Sequence, residues 1–365
     1  MNRFIEIFEL LPDPRAGNSR HTLVEVLFIA FLASLCGATS CVDMQTFGLA
    51  KQDFLRGVLT LKHGIPSHDT FSAVFRMIDP QAFEGLFRQF MSEFAAAAKF
   101  AKPKGVVAVD GKSLRRAYEA GSSHMPKAMV SLWGAQTRMT LASQPVEVGD
   151  EAGAALKLIE LVALKGCILT ADALHCHRNM AKRVADKKGD YVLAVKNNQP
   201  KLLAEAKALI AKAQDKQTQD AHTQEARHGR AERRHAMVAP ARYMAITHDF
   251  PNLKAVARIT SRRGTDKPVE RYFLMSRLYT PQQVLRIVRA HWGIENNLHW
   301  TLDVVFDEDL ARNRKDFGPA NLAILRRLAL NVARADPDTK TSLRLKLKRA
   351  GWSQDHFFDL LTHMR

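Results

Sequence analysis

Two short runs constrain this chain most. Gly105-Val106-Val107-Ala108-Val109-Asp110-Gly111-Lys112 and Gly166-Cys167-Ile168-Leu169-Thr170-Ala171-Asp172 are almost continuously apolar, and the apolar run of each stops at an acid. A strand with one wet face alternates; a strand without alternation fits a sheet covered on both sides. A third such run, Tyr191-Val192-Leu193-Ala194-Val195, leads into Lys196-Asn197-Asn198-Gln199-Pro200. Between the first two runs, Met129 to Trp133 and Met139 to Ala142 suggest a hairpin turning around Gln136-Thr137-Arg138. Residues 152–164 and 175–187 have helical periodicity. The order strand, hairpin, helix, strand, helix, strand predicts an α/β sheet with covering helices.

The flanks have a different texture. Residues 1–100 read as an N-terminal helical domain, with Phe4, Ile7, Phe8 and Leu11 at helical spacing and Pro12-Asp13-Pro14 as a stop. The run from Leu23 to Cys36 is too short, and too interrupted by Glu25, to span a bilayer, so it is expected to be a buried core helix. Ser67 or Asp69 is a candidate N-cap, and a helix-turn-helix near Ile65–Ile78 is one reading of this region, a purely structural packing domain the other. Residues 95–104 read as a linker or helix end, and 101–200 as the first part of the sheet domain. Residues 201–278 read as a β-rich insertion: a charged helix, Arg227, Arg230, Arg233 and Arg234 in a loop-like run, then strands near 236–238, 255–260 and 272–275. Residues 279–365 return to helix, opening on Thr280-Pro281 as N-cap and first helical position.

Lys and Arg number 54 against 37 Asp and Glu, a net charge of +17. Such an excess favours a polyanionic partner, nucleic acid first. From Leu310 to Ala350 there are eleven basic residues against three acidic ones, which reads as either a solvated helix face or a phosphate-binding surface. Four unevenly spaced cysteines make no disulfide framework and fit a reduced, cytoplasmic protein without a membrane partner. Cys167 with His175-Cys176-His177 does not have tetrahedral zinc spacing. No serine nucleophile with a base and no phosphate-binding Gly-Lys-Thr loop is evident.

The chemistry-bearing stretch is Ala290-His291-Trp292-Gly293-Ile294-Glu295-Asn296-Asn297-Leu298-His299-Trp300-Thr301-Leu302-Asp303. At α-helical spacing His291, Glu295, Leu298 and His299 share one face. Asp110 and Asp172 sit where parallel strands end, the edge at which loops converge on ligands. One acid there is usually a turn former or a helix cap. Two of them, with Glu295 on a later helix of a basic protein, suit Mg²⁺ or Mn²⁺, which bind through a few carboxylates plus substrate phosphate.

These three segments, together with Ile65-Pro66-Ser67-His68-Asp69-Thr70-Phe71, closely resemble the DDE transposases of bacterial insertion sequences, nearest the H-repeat-associated group. The resemblance covers nearly the whole chain. It implies an RNase H-like mixed sheet with flanking helices, and Asp110, Asp172 and Glu295 as a metal-binding catalytic triad for two Mg²⁺ or Mn²⁺ ions. It implies double-stranded DNA as partner, both the element's terminal inverted repeats and target DNA. A homodimer or higher multimer on that DNA, associated with the nucleoid, is expected. The activity implied is divalent-metal cutting at the element ends and joining of the 3′-hydroxyl to target. A degenerate DNA-binding regulator and a stand-alone metal nuclease are the alternatives. The chain departs from the broader group's Tyr-Arg-Glu-Lys signature, carrying Val288, His291 and Leu302 at the Tyr, Arg and Lys spacings. Arg289, His291 and His299 are candidates to hold DNA instead. Lys112, Lys196 and Asn198, beside strand ends, read as DNA contacts or as exposed loop residues. Trp292 and Trp300 read as packing residues or as stacking platforms for a base.

Overall fold

The computed structural model describes residues 2–15, 17–97, 105–115, 128–147, 149–215, 220–227 and 230–362. Most of the linker expected at 95–104 lies outside these residues. The chain begins with helices α1 (Asn2–Phe8), α2 (Leu23–Leu35), α3 (Cys41–Ala50), α4 (Gln52–Arg56), α5 (His68–Met77) and α6 (Pro80–Ala97). Strands β1 (Gly105–Ser113), β2 (Ala128–Gly134) and β3 (Met139–Pro145) follow, then α7 (Glu151–Glu160), β4 (Cys167–Ala171), α8 (Arg178–Asp186) and β5 (Asp190–Val195). The inserted part is α9 (Pro200–Asp215), β6 (Asp220–Arg227), β7 (Arg230–Pro240), α10 (Arg242–Thr247), β8 (Ala255–Arg263) and β9 (Val269–Met275). The chain closes with α11 (Pro281–His291), a π-helical stretch Ile294–His299, α12 (Trp300–Val305), α13 (Gly318–Arg334), α14 (Leu343–Trp352) and α15 (Gln354–Thr362).

The sheet order is β3-β2-β1-β4-β5-β9-β8-β7-β6. β2 runs antiparallel to both β1 and β3, whereas β1, β4 and β5 are parallel. This is the RNase H-like arrangement. The insertion is not a separate sheet: β9 pairs antiparallel with the edge of β5, and β8, β7 and β6 extend the same sheet outward. It has four strands where the sequence suggested three. The loop-like arginine run is a correction: Arg227 and Arg230 lie in β6 and β7, opposite each other in one antiparallel hairpin, with Arg233 and Arg234 further along β7.

Local sequence explains the helices that position the site. α2 opens on a capping box, with Thr22 accepting from Glu25 N and the Glu25 side chain accepting from Thr22 N. Glu25 also accepts from Leu61 N at 2.8 Å, so the acid in the apolar run is buried but satisfied. Ser67 rather than Asp69 caps α5. Thr280 caps α11, with Pro281 at its first turn and Gln283 completing the box.

Two layers cover the sheet. On one face, α7, α8 and α9 pack on the inward side chains of β1–β5 and their extension, including Val107, Val109, Leu169 and Leu193. On the other, α1–α6 and α13–α15 share one core with Ala108, Met129, Trp133 and Met139. None of the described helices is long and apolar enough to cross a membrane.

Candidate metal centre

Asp110 lies near the end of β1, half-buried, with the Gly111 amide donating to its Oδ1 at 3.0 Å. β4 is parallel to β1, so Asp172, just past its last residue, stands at the same sheet edge. The Asp172 Oδ1 accepts from Leu174 N at 2.8 Å, capping a single 3-10 turn. Asp172 therefore caps this turn and also lines the cavity described below. Asn198, after β5, donates to Ala173 O at 2.6 Å, and Gln199 to Cys176 O at 3.2 Å. These two amides tie the β5 loop to the turn that carries Asp172.

Glu295 arrives by a less regular route. α11 ends at His291, and Ile294–His299 wind as a π-helix in which Trp300 N donates to Glu295 O. Asn296 and Asn297 donate their side-chain amides back to the Trp292 and Gly293 carbonyls at 2.9 and 3.0 Å. The Trp292 carbonyl also accepts from Asn296 N at 3.2 Å, so the Asn pair braces the turn that leads into the π-helical stretch. Gly293 is required here by contact. A Cβ on it would lie 2.5 Å from Trp133 Cη2, and Trp133 is fully buried in β2.

The result is one cavity of about 240 Å³ whose walls include Asp110, Asp172 and Glu295. Asp110, Glu295 and His299 each offer one ligand atom within 4.8 Å of the others, while Asp172 stands further off on the same wall. His299 Nδ1 is 3.3 Å from Glu295 Oε2 and 3.8 Å from Asp110 Oδ2. Burial, then the facing Glu295 carboxyl, pushes the Asp110 pKa up to about 8. The hydrogen bond from His299 holds Glu295 down, at about 2. The two acids titrate as a pair, and their close approach drives the two pKa values apart, Asp110 upward and Glu295 downward. Hard oxygen donors crowded into one cavity, with a repulsion that a cation would relieve, fit a divalent ion such as Mg²⁺ or Mn²⁺.

The other sequence candidates divide. Lys196 is exposed and lines the cavity. His291 also lines it, but its Nδ1 is 3.0 Å from Thr170 Oγ1, and burial pushes its pKa down to about 4, so it is neutral. His299 is buried rather than presented to a ligand from solvent, and its Nε2 has no partner among the described residues. Arg289 is exposed on α11 and lies outside the cavity wall. Lys112 is buried, with its ammonium 2.6 Å from Asp303 and 3.0 Å from Asp309. In this arrangement it binds two carboxylates of its own chain. It thereby joins β1, two residues past Asp110, to the helix following Glu295, and gives Asp303 a partner. Trp292 and Trp300 are 45% and 59% exposed, so neither is a core residue. Cys176 is buried with its thiol pushed up to about 12, in keeping with an inert thiol rather than a zinc ligand. Thr170, Arg271 and Phe273 complete the cavity wall without any signal in the sequence pattern, since each sits at an ordinary strand position.

Known proteins resemble this chain along nearly its whole length. Residues 101–332 match the family described as "Transposase DDE domain", and residues 5–91 match one described as "DDE_Tnp_1-associated". The chain is 30% identical to "Putative transposase YncI" of Escherichia coli O157:H7, over 98% of this chain and 94% of that one. It is 28% identical to "Putative protein YbfL" of Escherichia coli (strain K12), over 99% and 98% of the two chains. To "H repeat-associated putative transposase YhhI" of the same strain it is 27% identical, with the same coverage. The Transposase DDE domain match covers β1 to α13 and every wall of the acid-lined cavity. With its RNase H-like sheet and the three acids at one edge of it, the chain belongs to the DDE transposase family.

Proposed function

We propose that this protein cuts DNA at the ends of its insertion element and joins the freed 3′-hydroxyl to a target phosphodiester, with Asp110, Asp172 and Glu295 as the metal-binding triad. The observation that carries this reading is that three acids, distant in sequence and borne by three elements, line one cavity. Mg²⁺ or Mn²⁺, one or two ions, held there would supply activation of water or of a hydroxyl and would offset charge on the phosphate under attack. The chain's own residues do the rest. His299 fixes the Glu295 carboxylate, Asn198 fixes the turn carrying Asp172, and Lys112 pins β1 against Asp303 and Asp309. Lys196 stands at the cavity wall to meet DNA phosphate, and Arg289 is exposed on the helix leading to Glu295. Terminal inverted repeats and target DNA are the substrates, and the protein works as a dimer or higher multimer on them.

A Mg²⁺-dependent nicking and strand-transfer assay on duplexes carrying the inverted repeats that flank the gene tests the proposal. Asp110→Asn and Glu295→Gln should each abolish nicking while repeat binding stays within about twofold. Nicking retained by the purified variants would remove the triad. A footprint that needs no divalent ion, with no nicking by the wild type, would favour a regulator instead. Cleavage without joining would favour a nuclease.

A further inference from the structure

We propose that Arg271, carried by the inserted strand β9 and not by the core, is the guanidinium that binds the DNA phosphate entering the acid-lined cavity, with the Trp292 ring holding it in place. The proposal rests on the reading of the cavity as a DNA-processing site and adds the residue that orients the backbone there.

A phosphodiester brought to three carboxylates is an anion meeting anions, so the protein must also present positive charge. The segment carrying Glu295 contributes Val288, His291, Trp292 and Glu295 to the wall, none of them a lysine or arginine. Among the described residues that line the cavity, only Lys196 and Arg271 supply such charge. Alternation along β9 decides where Arg271 points. Glu270 and Tyr272 turn to the opposite side, where Glu270 lies 3.4 Å from Arg258 and accepts from the Tyr272 hydroxyl at 2.9 Å. Arg271 and Phe273 share the cavity side.

Arg271 is half-buried, and among the described residues no carboxylate pairs with it. Its contacts are a 3.3 Å hydrogen bond from Nη1 to Ser261 Oγ and the Trp292 ring, whose centroid is 5.5 Å from Cζ. A cation–π contact steadies a guanidinium through the ring face and consumes no N–H donor. Most of the five-donor fork is therefore left for a ligand, and that fork matches two phosphate oxygens. A half-buried arginine without a counter-charge, preset over a tryptophan beside an acid cluster, is arranged for an anion that arrives with the substrate. Because β9 pairs with β5, the insertion places Arg271 opposite the core residues Asp110 and Asp172.

The test pairs a protein change with a DNA change. Duplexes ending in the inverted repeat beside the gene are made with the natural backbone, or with one methylphosphonate at the phosphate on the repeat boundary. Binding is measured by fluorescence anisotropy in Ca²⁺, using wild type, Arg271→Ala, Arg271→Lys and Trp292→Ala. Neutralising that phosphate should weaken wild-type binding about tenfold or more, the scale of one charge-assisted contact. It should leave Arg271→Ala affinity unchanged, because the contact is already gone. Arg271→Lys should recover part of the loss, and Trp292→Ala should show a reduced response. Equal losses for wild type and Arg271→Ala, or no loss for wild type, would overturn the proposal. Thermal unfolding of each variant within a few degrees of wild type keeps misfolding out of the comparison. The coupling is read without cleavage, so a wild type that shows it and never nicks would refute the cleavage reading and leave the Arg271 contact standing.

Discussion

Asp110 and Glu295 place two carboxyl groups against each other, and burial together with the facing Glu295 raises the Asp110 pKa to about 8. The consequence for stability has a definite sign. Between the ordinary carboxylate range and about pH 8, folded Asp110 holds a proton that the unfolded chain has lost, so stability falls as pH rises through that window. Glu295, held at about 2, and His291, held at about 4, have the opposite slope, but theirs ends near their unfolded values of about 4.5 and 6.5. Above about pH 6.5 the Asp110 effect stands alone among these three. Thermal melts in EDTA should therefore show the midpoint declining from pH 6.5 to 8, and Asp110→Asn should flatten that decline. A slope that persists in Asp110→Asn would mean another group carries it. That Asp110, Asp172 and Glu295 would come to one cavity was legible in the sequence, because strand ends and the specific stretch around Glu295 single them out. Lys112 was not. Nothing near it reveals that its partners are Asp303 and Asp309, nearly two hundred residues on, so a buried tie looked like an exposed contact.

At the scale of elements, the apolar strands were readable and the polar ones were not. β1, β4 and β5 are covered on both faces and show it as unbroken apolar runs. β6 is Asp-Ala-His-Thr-Gln-Glu-Ala-Arg, a sheet-edge strand specified by its pairing with β7 rather than by burial, so no pattern announces it. The π-helical stretch escaped for a different reason. The α-helical period places His291, Glu295, Leu298 and His299 on one face, yet α11 stops at His291 and the winding changes before Glu295, leaving Glu295 exposed while Leu298 and His299 are buried. Gly293 marks the change. A methyl group there would press on Trp133, whose ring is locked in the core, and overpacking of that kind costs about 1–3 kcal/mol. Gly293→Ala should lower the melting midpoint and, by displacing Glu295, reduce nicking more than it reduces DNA binding. Unchanged melting and nicking together would show that the segment yields freely and that the close approach has no consequence.

At the scale of the whole molecule, the family matches part between residues 91 and 101, and the sequence texture changes at the same place. The hydrophobic core does not part there. α2 buries twelve of its thirteen residues, as a helix apolar on all sides must. Part of that burial comes from α13, which is itself buried from Gly318 to Ala333. Asn321 on α13 donates to the carbonyls of Phe75 and Ile78 at 2.8 and 2.9 Å, satisfying the end of α5, and Arg326 donates to Thr39 O at 3.2 Å. Phe357 of α15 packs on Phe47 and Phe54. The first hundred residues thus borrow one wall of their core from the last fifty. Exposing a buried Leu or Phe costs about 1.5–3 kcal/mol, and a domain has only about 5–15 kcal/mol in hand, so losing a few such contacts is enough to unfold it. A fragment of residues 1–97 should therefore lack a cooperative thermal transition and show collapsed amide dispersion by NMR. Supplying residues 105–365 in trans should restore helix content beyond the sum of the separate parts. A fragment that melts cooperatively alone would make the N-terminal helices an independent domain. The shared core instead couples them mechanically to α13, whose Arg327 forms a fully buried pair with Glu308, one residue from the Asp309 that holds Lys112.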